Sequence, residues 1–86
     1  MEVMRAKLKV VRIEQFKIDG SGSHEVIMFS AVSKNDGYPE DGSDENNTFA
    51  KWTPSADLVM TITNPNLFGK IQEGDEFYVP FIKATK

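Results

Sequence analysis

Apolar side chains in the first part of the chain repeat with period two. Met4, Ala6, Leu8 and Val10 share one parity, the spacing of one face of a β-strand. The parity then switches to Val11 and Ile13, and back again at Phe16 and Ile18. A strand changes faces only through an extra residue or a sharp twist. Met4 to Ile18 is therefore expected as one long strand with bulges near Val10-Val11 and near Glu14-Gln15. Asp19-Gly20-Ser21-Gly22-Ser23 reads as a hairpin turn. His24 to Val32 is apolar on both faces at Val26, Ile27, Met28 and Phe29, so it is expected to be the most buried strand.

Ser33 to Thr48 breaks this pattern. It is polar and acidic, with Asn35, Asp36, Gly37, Pro39, Glu40, Asp41, Gly42, Asp44 and Glu45, and Tyr38 is its one evident anchor. A connection of this length and polarity predicts an exposed, mobile loop over residues 33–48. Phe49-Ala50-Lys51-Trp52 reads as a short strand closed by the Thr53-Pro54-Ser55 turn. Leu58, Met60 and Ile62 alternate with Val59, Thr61 and Thr63, a half-buried strand. Asn64-Pro65 has the form of a helix start, with Asn as cap and Pro at the first helical position; Gly69 fits the helix end. The helix is one or two turns, with Leu67 and Phe68 expected to plug the core. Gln72-Glu73-Gly74-Asp75 is a turn, and Phe77, Val79 and Phe81 alternate in a last strand. Pro80 cannot donate to a ladder, which makes that strand an edge or bulged. The expected fold is mainly β: a small, partly open barrel or two-layer sandwich of about five strands with one short helix.

Composition narrows the class further. A chain of 86 residues supports one domain, residues 1–86, with a thin core. The absence of Cys excludes disulfides and thiolate metal sites. No apolar run is long enough to cross a membrane, and the N-terminus lacks the apolar core of a signal peptide. A chain without Cys suits a reducing interior or a particle assembled inside a cell. Asn46-Asn47-Thr48 matches a glycosylation acceptor by chance under that reading. The net charge of −3 conceals an asymmetry. Residues 1–17 carry Arg5, Lys7, Lys9, Arg12 and Lys17 against Glu2 and Glu14, whereas residues 36–45 carry five carboxylates and no base. Such polarity can steer a partner or orient self-assembly.

Catalytic chemistry finds little support. Nucleophilic catalysis needs a base oriented beside the nucleophile, and the one His, His24, flanks a turn. The carboxylates of residues 36–45 lack the apolar neighbours that raise a pKa for general acid work. Asp41, Ser43, Glu45 and Asn47 have the spacing of the first ligands of a calcium loop. Asn46 stands where that loop needs glycine, and Trp52 where it needs Glu. Gly20 and Gly22 precede a strand, not the helix N-terminus of a phosphate loop. No enzyme activity, cofactor, metal or small-molecule substrate is expected. Interaction residues are the better candidates. Arg5, Lys7 and Lys9 project from one face of the first strand, and a bulge at Val10-Val11 would return Arg12 to it. Trp52 and Tyr78 are the aromatics to watch beside them, the combination by which open barrels hold single-stranded nucleic acid.

Three stretches carry a resemblance. They are Thr48-Phe49-Ala50-Lys51-Trp52-Thr53-Pro54-Ser55, Met60-Thr61-Ile62-Thr63-Asn64-Pro65 and Phe77-Tyr78-Val79-Pro80-Phe81. Together with Met4-Arg5-Ala6-Lys7-Leu8 and Ser30-Ala31-Val32, they resemble a group of short proteins of tailed bacteriophages. That group has a basic first strand, a Thr-Pro-Ser-Gly segment, an Asn-Pro turn and a terminal Pro-Gly followed by Tyr-Tyr-Val-Asp-Phe. Here Ala56 stands in place of the Gly, Glu73-Gly74 in place of Pro-Gly and Pro80 in place of the Asp. The resemblance implies a non-enzymatic phage accessory protein, first of all a virion component such as a capsid decoration or stabilising protein. Its partners would be coat subunits or further copies of itself. The alternative is a small binding module for single-stranded nucleic acid or for a host protein that it inhibits.

Overall fold

One strand organises the molecule. The computed structural model describes residues 1–18, 22–34 and 36–85. Strand β1 runs from Glu2 to Ile18, β2 from Gly22 to Ala31, β3 from Asp57 to Ile62 and β4 from Glu76 to Ile82. They form a single open antiparallel sheet in the order β3-β2-β1-β4. The fold is mainly β, with four strands and, among the described residues, one 3-10 turn at Pro65–Leu67. A strand of 17 residues at about 3.3 Å per residue spans roughly 55 Å, which matches the longest dimension of the molecule, 55 Å.

The bulge at Val10-Val11 is present: the β1–β2 register shifts between Val10 and Arg12. The second expected bulge is not, since pairing runs regularly from Arg12 to Ile18. Phe16 changes parity for another reason. It sits on the outer face and stacks on its cross-strand partner His24, with ring centroids 5.0 Å apart. An unforeseen irregularity lies at Val3, between the Glu2–Ile82 and Met4–Phe81 pairs. It brings Glu2 to the same face as Arg5, although residues three apart in a regular strand face opposite ways. The turn expected at residues 19–23 falls, for residues 19–21, outside the described residues.

Cross-strand partners share a face, so the register sorts the side chains. The core face carries Ala6, Leu8 and Val10 of β1 with Ile27 and Phe29 of β2, and these five are the buried apolar residues. Phe49, Leu58, Ile71 and Val79 pack on them, half-buried. Glu25 is also buried on this face; its carboxylate accepts from Gln15 Nε2 at 2.7 Å and from the Gly69 N–H at 3.3 Å. That bond ties the end of the 3-10 turn to β2.

Three expectations are corrected. Residues 49–52 form turns, not a strand, because Trp52 adopts a left-handed backbone with φ 62° that no ladder accepts. Leu67 does not plug the core: it is 47% exposed, while Phe68 is half-buried. The 3-10 turn is itself as read, with the Asn64 side chain accepting from the Asn66 N–H at 3.1 Å and Gly69 at φ 77° behind it. Finally, Tyr38 is not the one anchor of the acidic loop. Gly42, Asp44 and Asn47 are buried, and Asn47 is completely enclosed. Asn47 accepts from the Lys7 N–H at 2.8 Å and donates to the Val32 carbonyl at 2.8 Å. Asp44 accepts from the Asn46 N–H at 2.9 Å and holds the Asn47 side chain at 3.3 Å.

Pro80 is accommodated as an edge residue. Its partner Arg5 donates its N–H to Thr48 Oγ1 at 2.9 Å and accepts from the Thr48 N–H at 3.0 Å. Arg5 thus turns both backbone groups away from β4, and the missing N–H of Pro80 removes no ladder bond.

Candidate partner-binding surface

The outer face of the sheet carries four of the chain's ten cationic side chains. Arg5, Lys7 and Lys9 alternate along β1, and the extra residue at Val11 puts Arg12 back in phase with them: Lys9 pairs with Ser30 and Arg12 with Met28. All four predicted basic residues therefore share one face. Tyr78 joins them as the cross-strand partner of Lys7, whose Nζ lies 5.6 Å from the ring centroid. Trp52 does not. It belongs to the acidic loop, where its indole covers Gly42 and meets Tyr38 edge-on at 6.1 Å.

The stripe is partly compensated. Glu2 accepts from Arg5 Nε at 2.8 Å and from Nη2 at 2.9 Å, a bidentate pair made reachable by the bulge at Val3. This pairing holds the Glu2 carboxyl below its ordinary pKa and raises that of the Arg5 guanidinium. Lys7 lies 3.4 Å from Glu76, and Arg12 lies 3.4 Å from Glu14. Among the described residues, no carboxylate lies within ion-pair distance of Lys9, which is exposed. Exposed pairs of this kind contribute little to stability and exchange readily for a partner's carboxylates.

Apolar groups border the cations, and periodicity alone did not single them out. Val26 and Met28 of β2, Val59 of β3 and the Phe16–His24 stack lie on the same face by register. Val59 is 61% exposed and Tyr78 59% exposed. The clue was present in β2, whose apolar residues occupy both parities, so that one set had to face outward.

The core face has its own opening. A hollow of about 330 Å³ lies over Ala6 and Leu8, walled by Met4, Phe49, Leu58 and Phe81. It forms where β2 ends at Ala31 and leaves the first half of β1 without a strand on that side.

Among the described residues, no three His, Asp or Glu side chains are grouped so as to hold a metal ion. Of the calcium-like spacing, Asn47 is committed to the backbone of Lys7 and Val32. Asp41 accepts from the Ser43 N–H at 3.1 Å, and Glu45 pairs with Lys34 at 3.0 Å. Compared with known protein families, with curated proteins and with solved structures, the chain matches none of them.

Proposed function

We propose that this chain is a non-enzymatic accessory protein of a tailed-phage particle, a capsid decoration or stabilising protein. Its outer sheet face grips an acidic protein surface such as that of coat subunits. The observation that carries the reading is the shared face of Arg5, Lys7, Lys9 and Arg12, bordered by exposed Tyr78, Val59 and Phe16. Cations beside apolar side chains suit protein recognition: the charges set orientation and encounter rate, and the apolar contacts add affinity. The resemblance of the chain's second half to phage proteins supplies the biological setting.

Mass spectrometry of purified particles tests the setting, with the chain expected in fixed stoichiometry to coat protein. Binding of the purified chain to particles tests the surface. Replacing Arg5, Lys7 and Lys9 together with Ser should weaken binding about tenfold or more and flatten its salt dependence. The circular dichroism spectrum should be unchanged, because these side chains project from the sheet. Unchanged affinity would reduce the stripe to a solvated face. A second reading, single-stranded nucleic acid, is favoured by the cation over the Tyr78 ring and by the open Phe16–His24 stack. Salt-sensitive binding to an oligonucleotide, without binding to particles, would select it.

A further inference from the structure

A chain of 9.7 kDa that folds into a compact monomer exposes about 5,100 Å², but this one exposes 6380 Å². Its radius of gyration is 15.7 Å, against about 12 Å for a globular chain of 86 residues. The shortest dimension is 16 Å, which leaves room for one sheet and a thin cover of coil. Met60, Phe77 and Phe81, all on the core face, remain 43%, 37% and 45% exposed.

We infer that a second copy of this chain completes the core, packing its core face against this one so that two sheets form a sandwich. Three observations select a copy of itself as the occupant. The excess surface, roughly 1,200 Å², is of the order that each partner buries in a stable interface, about 800 Å². A two-fold interface sets one patch against itself, so the patch must not repel its own kind. Met4, Leu58, Met60, Phe77 and Phe81 carry no charge, whereas the outer face would set four cations, three of them paired with carboxylates, against their own copies. The core face also holds both a hollow and a projecting row: the Phe77–Phe81 edge of one copy can seat over the hollow beside Phe49 and Leu58 of the other. The arrangement leaves both outer faces, with their cations, directed outward.

The test uses the purified full chain alone, so its failure and that of the coat-binding reading are separate events. Light scattering coupled to size exclusion should give twice the chain's 9.7 kDa at micromolar concentration and above. Phe81→Asp, and separately Phe77→Asp, should return the mass to that of one chain. Val59→Asp on the outer face should leave the dimer intact. A chain that stays monomeric up to submillimolar concentration overturns the inference, as does a dimer that survives both core-face charges. Hydroxyl-radical footprinting of the unaltered chain decides the matter even if the charged variants fail to fold. Met60 and Phe81 should become protected as concentration rises while Tyr78 does not, and equal labelling of all three at every concentration overturns the inference.

Discussion

The two halves of β1 solve the same problem differently. From Glu2 to Lys9 the strand has β4 on one side, and on the other, short of Leu8, no strand at all. Its backbone is nevertheless satisfied there. The Arg5 N–H donates to Thr48 Oγ1, the Lys7 N–H to Asn47 Oδ1, and the Lys7 carbonyl accepts from the Val32 N–H at 2.9 Å. From Arg12 to Ile18 the strand has β2 on one side and open edge on the other. The Val10 N–H still finds the Asp75 carbonyl at 2.8 Å, and the Ile13 N–H finds Glu73 Oε2 at 3.2 Å. Beyond Ile13 no described group meets that row of donors. A buried amide side chain thus stands in for a missing strand at one end of β1. At the other end the edge is left to solvent, guarded by charge and by the irregularity at Val11.

The comparison breaks most sharply at Asn47. Its side chain is fully enclosed and holds three groups: the Lys7 N–H, the Val32 carbonyl and the Asp44 carboxylate. Asn47→Ala leaves the first two without partners in a site with little water, a loss of about 3 kcal/mol. In a domain of this size that lowers the melting temperature by roughly 15 °C. Hydrogen exchange gives the local signature. By alternation along the strand, the Gln15 amide faces the same open side as that of Ile13. In the unaltered chain Lys7 should exchange slowly and Gln15 quickly, and Asn47→Ala should bring Lys7 toward the rate of Gln15. A variant in which Lys7 stays protected would show that the loop backbone, not the Asn47 side chain, closes that edge.

A smaller effect is expected where the loop itself is shaped. Gly42 has φ 75°, and a Cβ built on it would fall 2.5 Å from the Trp52 ring. Trp52 is in a left-handed conformation of its own, stabilised by its N–H bond to the Gly42 carbonyl at 2.7 Å. Gly42→Ala therefore meets both backbone strain and the indole, and should cost about 2 kcal/mol. The damage should start at Trp52, so its fluorescence should shift before the protection of Lys7 is lost. If both change together, the loop and the first half of β1 form a single cooperative unit.

Much of this arrangement could be read from residue order alone, and the failures have identifiable causes. The hairpin of β1 and β2 was legible because a half-buried strand must alternate, and the Val10-Val11 bulge because alternation there breaks. From that bulge the shared face of Arg5, Lys7, Lys9 and Arg12 followed by counting. Phe16 defeated the same count, since an aromatic stacked on the outer face has the parity of one carried across by a bulge. The anchoring of the acidic loop was illegible for another reason. Asp44 and Asn47 are of the same types as the exposed Asp36 and half-buried Asn46 around them, and only three-dimensional proximity to the half of β1 that lacks β2 distinguishes their roles. Periodicity likewise identified which residues are apolar in β4, but not that Phe77 and Phe81 would lack cover within one chain.

A milder probe of the loop is pH, because its ionised groups are held by specific partners. The Asp41 carboxyl is held below its ordinary value by the Ser43 backbone N–H. Glu45 is lowered by its own backbone amide and by Lys34, and Lys34 is raised in turn by Glu45. For the two carboxylates the folded pKa lies below the unfolded one. Their contribution is complete above the ordinary carboxylate range and is lost as pH falls through the depressed values. For Lys34 the folded pKa lies above the unfolded one, so its contribution is complete below the ordinary ammonium value and is lost as pH rises through the raised one. The loop should therefore be tightest across the neutral range and loosen slightly toward both extremes. All three groups border solvent, so the change in global stability is small. Trp52, the chain's one tryptophan, lies against Gly42 beside Asp41 and reports the loop directly. Its emission should shift in mild acid before far-ultraviolet circular dichroism changes, and Glu45→Gln should reduce that acid step and abolish the step at high pH. An emission change that coincides with loss of the sheet would mean that these ion pairs and caps hold the loop no more tightly than its packing does.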